Sequence, residues 1–191
     1  MHFRKMLAAG LPLLLLLQSC APVAVVGVAA GASAVHDRRT FGAMIDDQNI
    51  ELKAKAKINS DAAIKDQVHI NVFSMNGVVL LTGEAATVEV RDQVLTQVRS
   101  VDGVRRITNE MRLTTPSGYG SRSLDALITS AVKSRMLVTT DFDSTRVKVV
   151  TENSVVYLMG LVTRAEGGQA VSLTTRIDGV TGVVKVFEYI D

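Results

Sequence analysis

The arrangement of apolar positions along the chain occurs twice. Residues 77–83 read Gly-Val-Val-Leu-Leu-Thr-Gly, and residues 154–160 read Ser-Val-Val-Tyr-Leu-Met-Gly, an offset of 77 residues. A later turn-forming segment, Val-Asp-Gly-Val at 101–104, returns as Ile-Asp-Gly-Val at 177–180. A unit of about 70 residues is therefore duplicated, and two copies are typical of paired small domains rather than of a solenoid. Because so small a unit buries a modest core, we expect the two copies to pack on each other or on another surface.

Residues 50–58 open the first copy and fit two patterns. Apolar and polar residues alternate, as in a strand, but Ile50, Ala54 and Ile58 also recur at helical spacing. Good helix formers fill the positions between them, so we predict a helix. Asp46 and Asp47 are the candidate residues to cap its start.

A β-hairpin follows this helix. Asn-Gly at 76–77 is the strongest short signal for a type I′ turn, which needs a positive φ at both positions. We expect one strand at 68–72 and the returning strand at 78–82, ending at Gly83. A helix over 88–98 and a strand over 105–113 complete the order α-β-β-α-β.

The second copy predicts the same elements. Leu124, Ile128 and Val132 lie at helical spacing and form the expected buried stripe of a helix that Ser123 can cap. The remaining predicted elements are three strands, at 146–150, 155–160 and 183–190, and a helix at 164–177, between the second and third strands.

Gly83 and Gly160 occupy the same position in the two copies. The simplest interpretation is structural. Each glycine permits a backbone conformation or a close packing that a Cβ atom would obstruct.

Composition narrows the classes of function. The chain has 21 basic and 19 acidic residues, and two of the basic ones, Arg4 and Lys5, lie within the first 19 residues. Charge is therefore balanced over the rest of the chain, and we expect no nucleic-acid partner. With one cysteine, three scattered histidines and no grouping of Ser, His and Asp, the sequence also predicts no metal site, no cofactor and no enzyme active site.

The first 20 residues resemble the signal peptide of a bacterial lipoprotein. A short basic segment precedes a largely apolar run at 7–17, which is too short to cross a bilayer. Leu-Gln-Ser-Cys at 17–20 then resembles a lipobox, in which the cysteine accepts a diacylglycerol and becomes the acylated N-terminus after cleavage. Cys20 is therefore the predicted lipidation site, with an uncleaved anchor helix and an ordinary secretory signal as the alternatives. By resemblance to the sorting of enterobacterial lipoproteins, alanine rather than aspartate at position 21 favours the outer membrane of a Gram-negative cell over retention at the inner membrane.

A lipobox followed by two α-β-β-α-β units, each with an apolar strand running into Gly and a later Val/Ile-Asp-Gly-Val turn, resembles the dual BON-domain lipoproteins. The resemblance implies an α+β fold with two tandem BON domains, each a three-stranded mixed sheet packed against two helices. It divides the chain into a signal peptide (1–19) and a lipidated tether (20–45), followed by a first BON domain (46–114), a linker (115–122) and a second BON domain (123–191).

The resemblance also implies a function without catalysis, in domains that face the periplasm. Such proteins are associated with anionic phospholipid, with outer-membrane integrity, with the division site and with the surroundings of the β-barrel assembly machinery. Carried onto this chain, the lipid-contact surface lies on the first helix of the second domain. It comprises three apolar and two basic residues: Leu127, Leu137, Val138, Lys133 and Arg135.

Two alternatives stay open at this point. Leu127 and Leu137 are equally suited to be core or interdomain contacts. The second hypothesis for function is an envelope adaptor that binds proteins, for example by strand addition at a sheet edge, and whose acyl chains are its only membrane contact.

Overall fold

The computed structural model describes residues 37–115 and 122–191, which contain two units with the order α-β-β-α-β. The first unit consists of helix α1 (Phe41–Ser60), strands β1 (Val68–Met75) and β2 (Val78–Ala85), helix α2 (Val88–Arg99) and strand β3 (Arg106–Leu113). The second consists of helix α3 (Arg122–Leu137), strands β4 (Val147–Glu152) and β5 (Val155–Val162), helix α4 (Arg164–Thr174) and strand β6 (Gly182–Tyr189). The duplicated order and the helical interpretation of 50–58 are confirmed.

Each unit contains a three-stranded mixed sheet, as predicted. The strand order is β1-β2-β3 in one sheet and β4-β5-β6 in the other. In each, the first two strands pair antiparallel and the last two pair parallel. Both hairpin turns have a positive φ at their two central residues, 52° and 71° at Asn76 and Gly77 and 50° and 64° at Asn153 and Ser154. The first turn is the predicted type I′ geometry, and the second reaches the same conformation without glycine.

The start of α1 differs from the prediction. The helix begins at Phe41, and Thr40 caps it by accepting a hydrogen bond from the Ala43 N–H at 3.1 Å. Residues 41–45, assigned to the tether, therefore form the first turn of the helix. Asp46 and Asp47 lie inside it, so their predicted role as caps is wrong.

Four other predicted boundaries were also wrong. Strands β2 and β5 continue two residues past Gly83 and Gly160, to Ala85 and Val162. Ser123 lies within α3, which begins one residue earlier. Helix α4 ends at Thr174 rather than at 177.

Within residues 37–115 and 122–191, the hydrophobic core has three parts. One cluster fills the space between the first sheet and helices α1 and α2, and a second does the same between the second sheet and α3 and α4. The third lies between the two sheets, on the faces that point away from the helices, and includes Met75, Leu80, Tyr157, Met159 and Val186. The two units therefore pack sheet against sheet, as the small size of each copy led us to expect.

Burial on both faces explains the continuous apolar run of β2. Val79 and Leu81 point into the first helix-facing core, whereas Val78 and Leu80 point into the core between the sheets. All eight residues of β2 are buried. A half-exposed strand would alternate apolar and polar residues, and β2 does not because neither of its faces meets water.

Polar contacts surround this interdomain core. Glu152 accepts hydrogen bonds from Asn71 Nδ2 at 2.9 Å and Thr82 Oγ1 at 3.2 Å. At another point Arg105 Nη2 lies 3.0 Å from Glu188 Oε1. Such contacts fix the relative placement of the sheets, while the apolar cluster supplies most of the stabilisation.

Candidate lipid-contact surface

Helix α3 buries a stripe that is shifted from the predicted one. Ile128, Val132 and Met136 are almost fully buried against the second sheet, but Leu124 is 50% exposed. Asp125, one position further along, occupies the buried stripe in its place. The assignment of Leu124 to the core was therefore wrong.

The predicted apolar residues lie on the opposite side of α3. Leu127, Leu137 and Val138 are 68%, 74% and 75% exposed, which excludes the core half of the alternative for Leu127 and Leu137. Val138 follows the last helical residue, and its N–H still donates to the Ser134 carbonyl at 3.1 Å. At 3.6 residues per turn, the three side chains share the outward half of the helix.

Charge on this surface of α3 is positive. Lys133 and Arg135 are exposed, and helical spacing places them on opposite flanks of the apolar residues. The one acidic residue of the helix, Asp125, is buried and turned inward. An apolar strip between two cations is an arrangement that suits the surface of an anionic bilayer.

Asp125 holds the hairpin turn of its own domain. Its two carboxylate oxygens accept the backbone N–H groups of Asn153 and Ser154 at 2.9 and 2.8 Å. Both donors sit in the positive-φ turn, and the carboxylate satisfies their backbone N–H groups. The carboxylate therefore fixes α3 to the end of its sheet.

Asp47 does the same in the first domain, with more partners. It accepts the N–H groups of Asn76 and Gly77 at 2.7 and 2.9 Å, the Ser74 hydroxyl at 2.6 Å and the Arg39 guanidinium at 2.8 Å. Burial raises the pKa of Asp47, but these hydrogen bonds outweigh it and hold the pKa below its ordinary value. Sequence reasoning missed this pair of residues, although an aspartate at the same place in both copies was a signal available for them.

A groove of about 760 Å³ runs along one side of α3. Its floor is β4, which pairs with β5 on one side only. Lys133 and Leu137 line it from α3, and Asn71 and Phe73 line it from the first domain. Two of the five predicted lipid-contact residues therefore face a cleft between the domains.

Comparison with protein families agrees with this architecture. The family model described as BON domain matches residues 46–115 and again 124–191. This chain belongs to the BON-domain family.

Several BON proteins resemble it over most of its length. Outer membrane lipoprotein DolP of Haemophilus influenzae is 36% identical over 187 residues, which cover 98% of this chain and 97% of that protein. The 21 kDa hemolysin of Actinobacillus pleuropneumoniae is 35% identical and covers 81% of this chain and 79% of its own. Osmotically-inducible protein Y of Escherichia coli is 28% identical, with coverage of 81% and 78%. The prediction of a dual BON-domain outer-membrane lipoprotein is confirmed.

The paired glycines of the two BON domains have different surroundings. Gly83 has a φ of 110°, and a Cβ atom there would lie 2.0 Å from the His69 carbonyl oxygen of the neighbouring strand. At Gly160 a Cβ atom would lie 2.6 Å from the Arg146 carbonyl oxygen. A side chain at either position would displace backbone of the adjacent strand or of the turn that leads into it.

Cys20 lies outside the described residues, so its lipidation stays a prediction. Among residues 37–115 and 122–191, no helix is both long and apolar enough to span a bilayer. Within the same ranges, no group of three or more His, Cys, Asp or Glu side chains is placed to hold a metal ion.

Proposed function

We propose that this BON protein is a non-enzymatic lipoprotein of the outer membrane that contacts anionic phospholipid through α3 of its second domain. Cys20 carries the acyl anchor, the domains face the periplasm, and the contact serves the integrity of the membrane, including at the division site. The observation that carries the proposal is the outward surface of α3, where Leu127, Leu137 and Val138 are exposed between Lys133 and Arg135.

The physical basis is a combination of two weak contributions. Each basic residue near an anionic surface contributes about 1 kcal/mol, and a leucine that enters the acyl boundary contributes about 1.5–3 kcal/mol. Neither would hold a soluble domain on a membrane by itself. An acyl anchor changes this, because it keeps the surface of α3 at a high effective concentration beside the bilayer.

An NMR titration of residues 36–191 tests the α3 contact without the anchor. This fragment contains all three parts of the core. Phosphatidylglycerol micelles are expected to shift amide resonances between 124 and 138, and zwitterionic micelles to leave them unchanged. Leu127→Glu should abolish the shifts with the fold intact.

Val88→Glu is the matched control, since Val88 is an exposed apolar residue on a helix of the first domain. It should leave the shifts in place. If neither micelle shifts the α3 resonances, the acyl chains are the only membrane contact and the proposal fails.

A second candidate, the envelope adaptor, is favoured by the groove beside β4. Among the described residues β4 pairs on one side only, so its other edge offers backbone N–H and C=O groups to an extended peptide in the groove. Proteins near the β-barrel assembly machinery or the division apparatus are the expected partners in that case. Photocrosslinking from Ser130, which lines the groove, would capture such a partner in cells.

A further inference from the structure

The first BON domain carries an exposed apolar stripe of its own. Phe41, Ile45 and Leu52 of α1 are 73%, 48% and 58% exposed. Their spacing of four and then seven residues places them on one face of the helix. The buried residues Ile50 and Ala54 lie on the opposite face, so the stripe has no part in the core of its domain.

The charges around this stripe favour an anionic surface. Lys53 and Lys55 are exposed on α1. Of the acidic residues, Asp47 is buried against the hairpin turn, and Glu51 accepts Lys148 Nζ of the second domain at 2.7 Å. Only Asp46 remains as an exposed carboxylate on this helix.

The position of α1 along the chain brings the stripe near a bilayer. Phe41 is the first residue of the helix and follows the predicted lipidation site, Cys20, by 21 residues. A chain of that length spans at most about 75 Å. On the proposed function, the stripe therefore stays within about 75 Å of the acyl chains, a distance at which it can reach the membrane that holds them.

We propose that Phe41, Ile45 and Leu52 form a second membrane contact, which enters the headgroup and acyl boundary of the phospholipid bilayer that anchors Cys20. A second protein copy is a poorer occupant, because a stable protein interface buries about 800 Å² on each partner and three side chains in a row offer much less. A bilayer needs no minimum area from a contact that is already tethered to it. The stripe would then give the first domain a membrane contact of its own, separate from that of α3 in the second domain.

The absence of tryptophan from the chain allows a direct test. The lipidated full-length protein is reconstituted into vesicles of phosphatidylglycerol and phosphatidylethanolamine, with a single tryptophan introduced as Phe41→Trp. Vesicles with brominated acyl chains should quench its emission to an extent comparable with that of Leu127→Trp on α3. Ile190→Trp, at an exposed apolar position near the C-terminus, is the control that should keep its emission.

The two tryptophans separate this inference from the proposed function. Quenching at Leu127→Trp without quenching at Phe41→Trp overturns the second contact and leaves the α3 contact standing. The reverse result overturns the α3 contact alone. A Phe41→Trp that is shielded from aqueous iodide but not quenched by brominated lipid would show that protein covers the stripe, either residues 20–36 or a second copy, and would also overturn the inference.

A charge variant tests the two other residues of the stripe. Ile45→Glu with Leu52→Glu should abolish the quenching of Phe41→Trp and leave that of Leu127→Trp unchanged. Val88→Glu, in the same domain but on α2, should affect neither. Unchanged quenching of Phe41→Trp in the double variant would contradict the role of the stripe.

Discussion

In each BON domain an aspartate of the first helix holds the hairpin turn, but the two aspartates have different numbers of hydrogen-bond donors. In the first, Asp47 receives two turn N–H groups, a serine hydroxyl and the Arg39 guanidinium, whereas Asp125 of the second receives two turn N–H groups. Their strands differ likewise, since Gly83 has a positive φ and Gly160 does not. Duplication has thus kept the geometry of the helix, hairpin and glycine, while the contacts that reinforce it have diverged. We therefore expect the stability of the first domain to depend on these features more than that of the second.

The largest difference in stability between equivalent substitutions in the two domains is expected at Gly83 and Gly160. Gly83→Ala should lower the free energy of unfolding by about 3–5 kcal/mol, because it combines a positive φ with a Cβ atom against a backbone oxygen. Gly160→Ala should lower it by about 1–3 kcal/mol, since the contact is looser and the φ is ordinary. Chemical denaturation of residues 36–191 measures both.

Gly168→Ala is the control for these variants. A Cβ atom at this helical position meets nothing within 4 Å, so the change should stabilise by up to about 1 kcal/mol. Equal losses at Gly83 and Gly160 would contradict the difference between the two strands.

The second largest difference in stability is expected at the two aspartates that hold the hairpin turns, Asp47 and Asp125. Asp47→Asn should lower the free energy of unfolding by about 2–4 kcal/mol and Asp125→Asn by about 1–2 kcal/mol, because the former removes a charge that more donors stabilise. Asp46→Asn, on the exposed side of α1, should have little effect. The loss at Asp47 should shrink as the pH falls below about 4, where the unfolded wild-type carboxylate becomes protonated. A loss that is the same at all pH values would exclude an ionised Asp47 as its cause.

Sequence patterns predicted what depends on neighbours along the chain. The order of elements, the helix over 50–58 and the Asn-Gly turn follow from periodicity and turn chemistry, and all three are correct. The start of α1 was missed because Thr40 was not considered as a cap while two later aspartates were. Local propensity cannot rank such caps when each has the right chemistry.

Features that depend on distant contacts were harder to predict. Nothing next to Asp47 shows that its side chain meets a turn about 30 residues later. Leu124 and Leu127 both fit a helical stripe, and only the position of the sheet decides that Asp125 and Met136 are buried instead. The exposed surface of α3 came from a family resemblance, and the stripe on α1 was not foreseen.

A smaller effect concerns the second helix of the second domain. Helix α4 begins with Thr163 and Glu166 in a capping box, whereas the corresponding cap of α2, Thr87, has Val90 three residues later. Arg38, from the segment before α1, donates to both carboxylate oxygens of Glu166 at 2.6 and 2.9 Å, and Arg146 pairs with it as well. These contacts, foremost that of Arg38, lower the pKa of Glu166 to about 2.

The stability that Glu166 contributes should therefore depend on pH. It is fully present above the ordinary pKa of 4.5 and is lost as the pH falls from there towards 2. We expect a loss of about 1–2 kcal/mol over this range after allowance for solvent screening. Glu166→Gln should flatten the dependence, and Asp46→Asn, on the exposed side of α1, should not. An unchanged slope in Glu166→Gln would assign the acid sensitivity to other carboxylates.

The smallest effect is expected at the second hairpin turn. Ser154 adopts a φ of 64°, which strains a residue with a Cβ atom, and Gly77 adopts 71° at the same place in the first turn. Ser154→Gly should stabilise the protein by about 0.5 kcal/mol, because relief of that strain exceeds the added entropy of the unfolded chain. Asn153→Gly should give no gain, since asparagine tolerates this region. The N–H of residue 154 keeps its bond to Asp125 in the variant, so a destabilised Ser154→Gly would mean that the serine side chain, rather than the backbone of the turn, stabilises this hairpin.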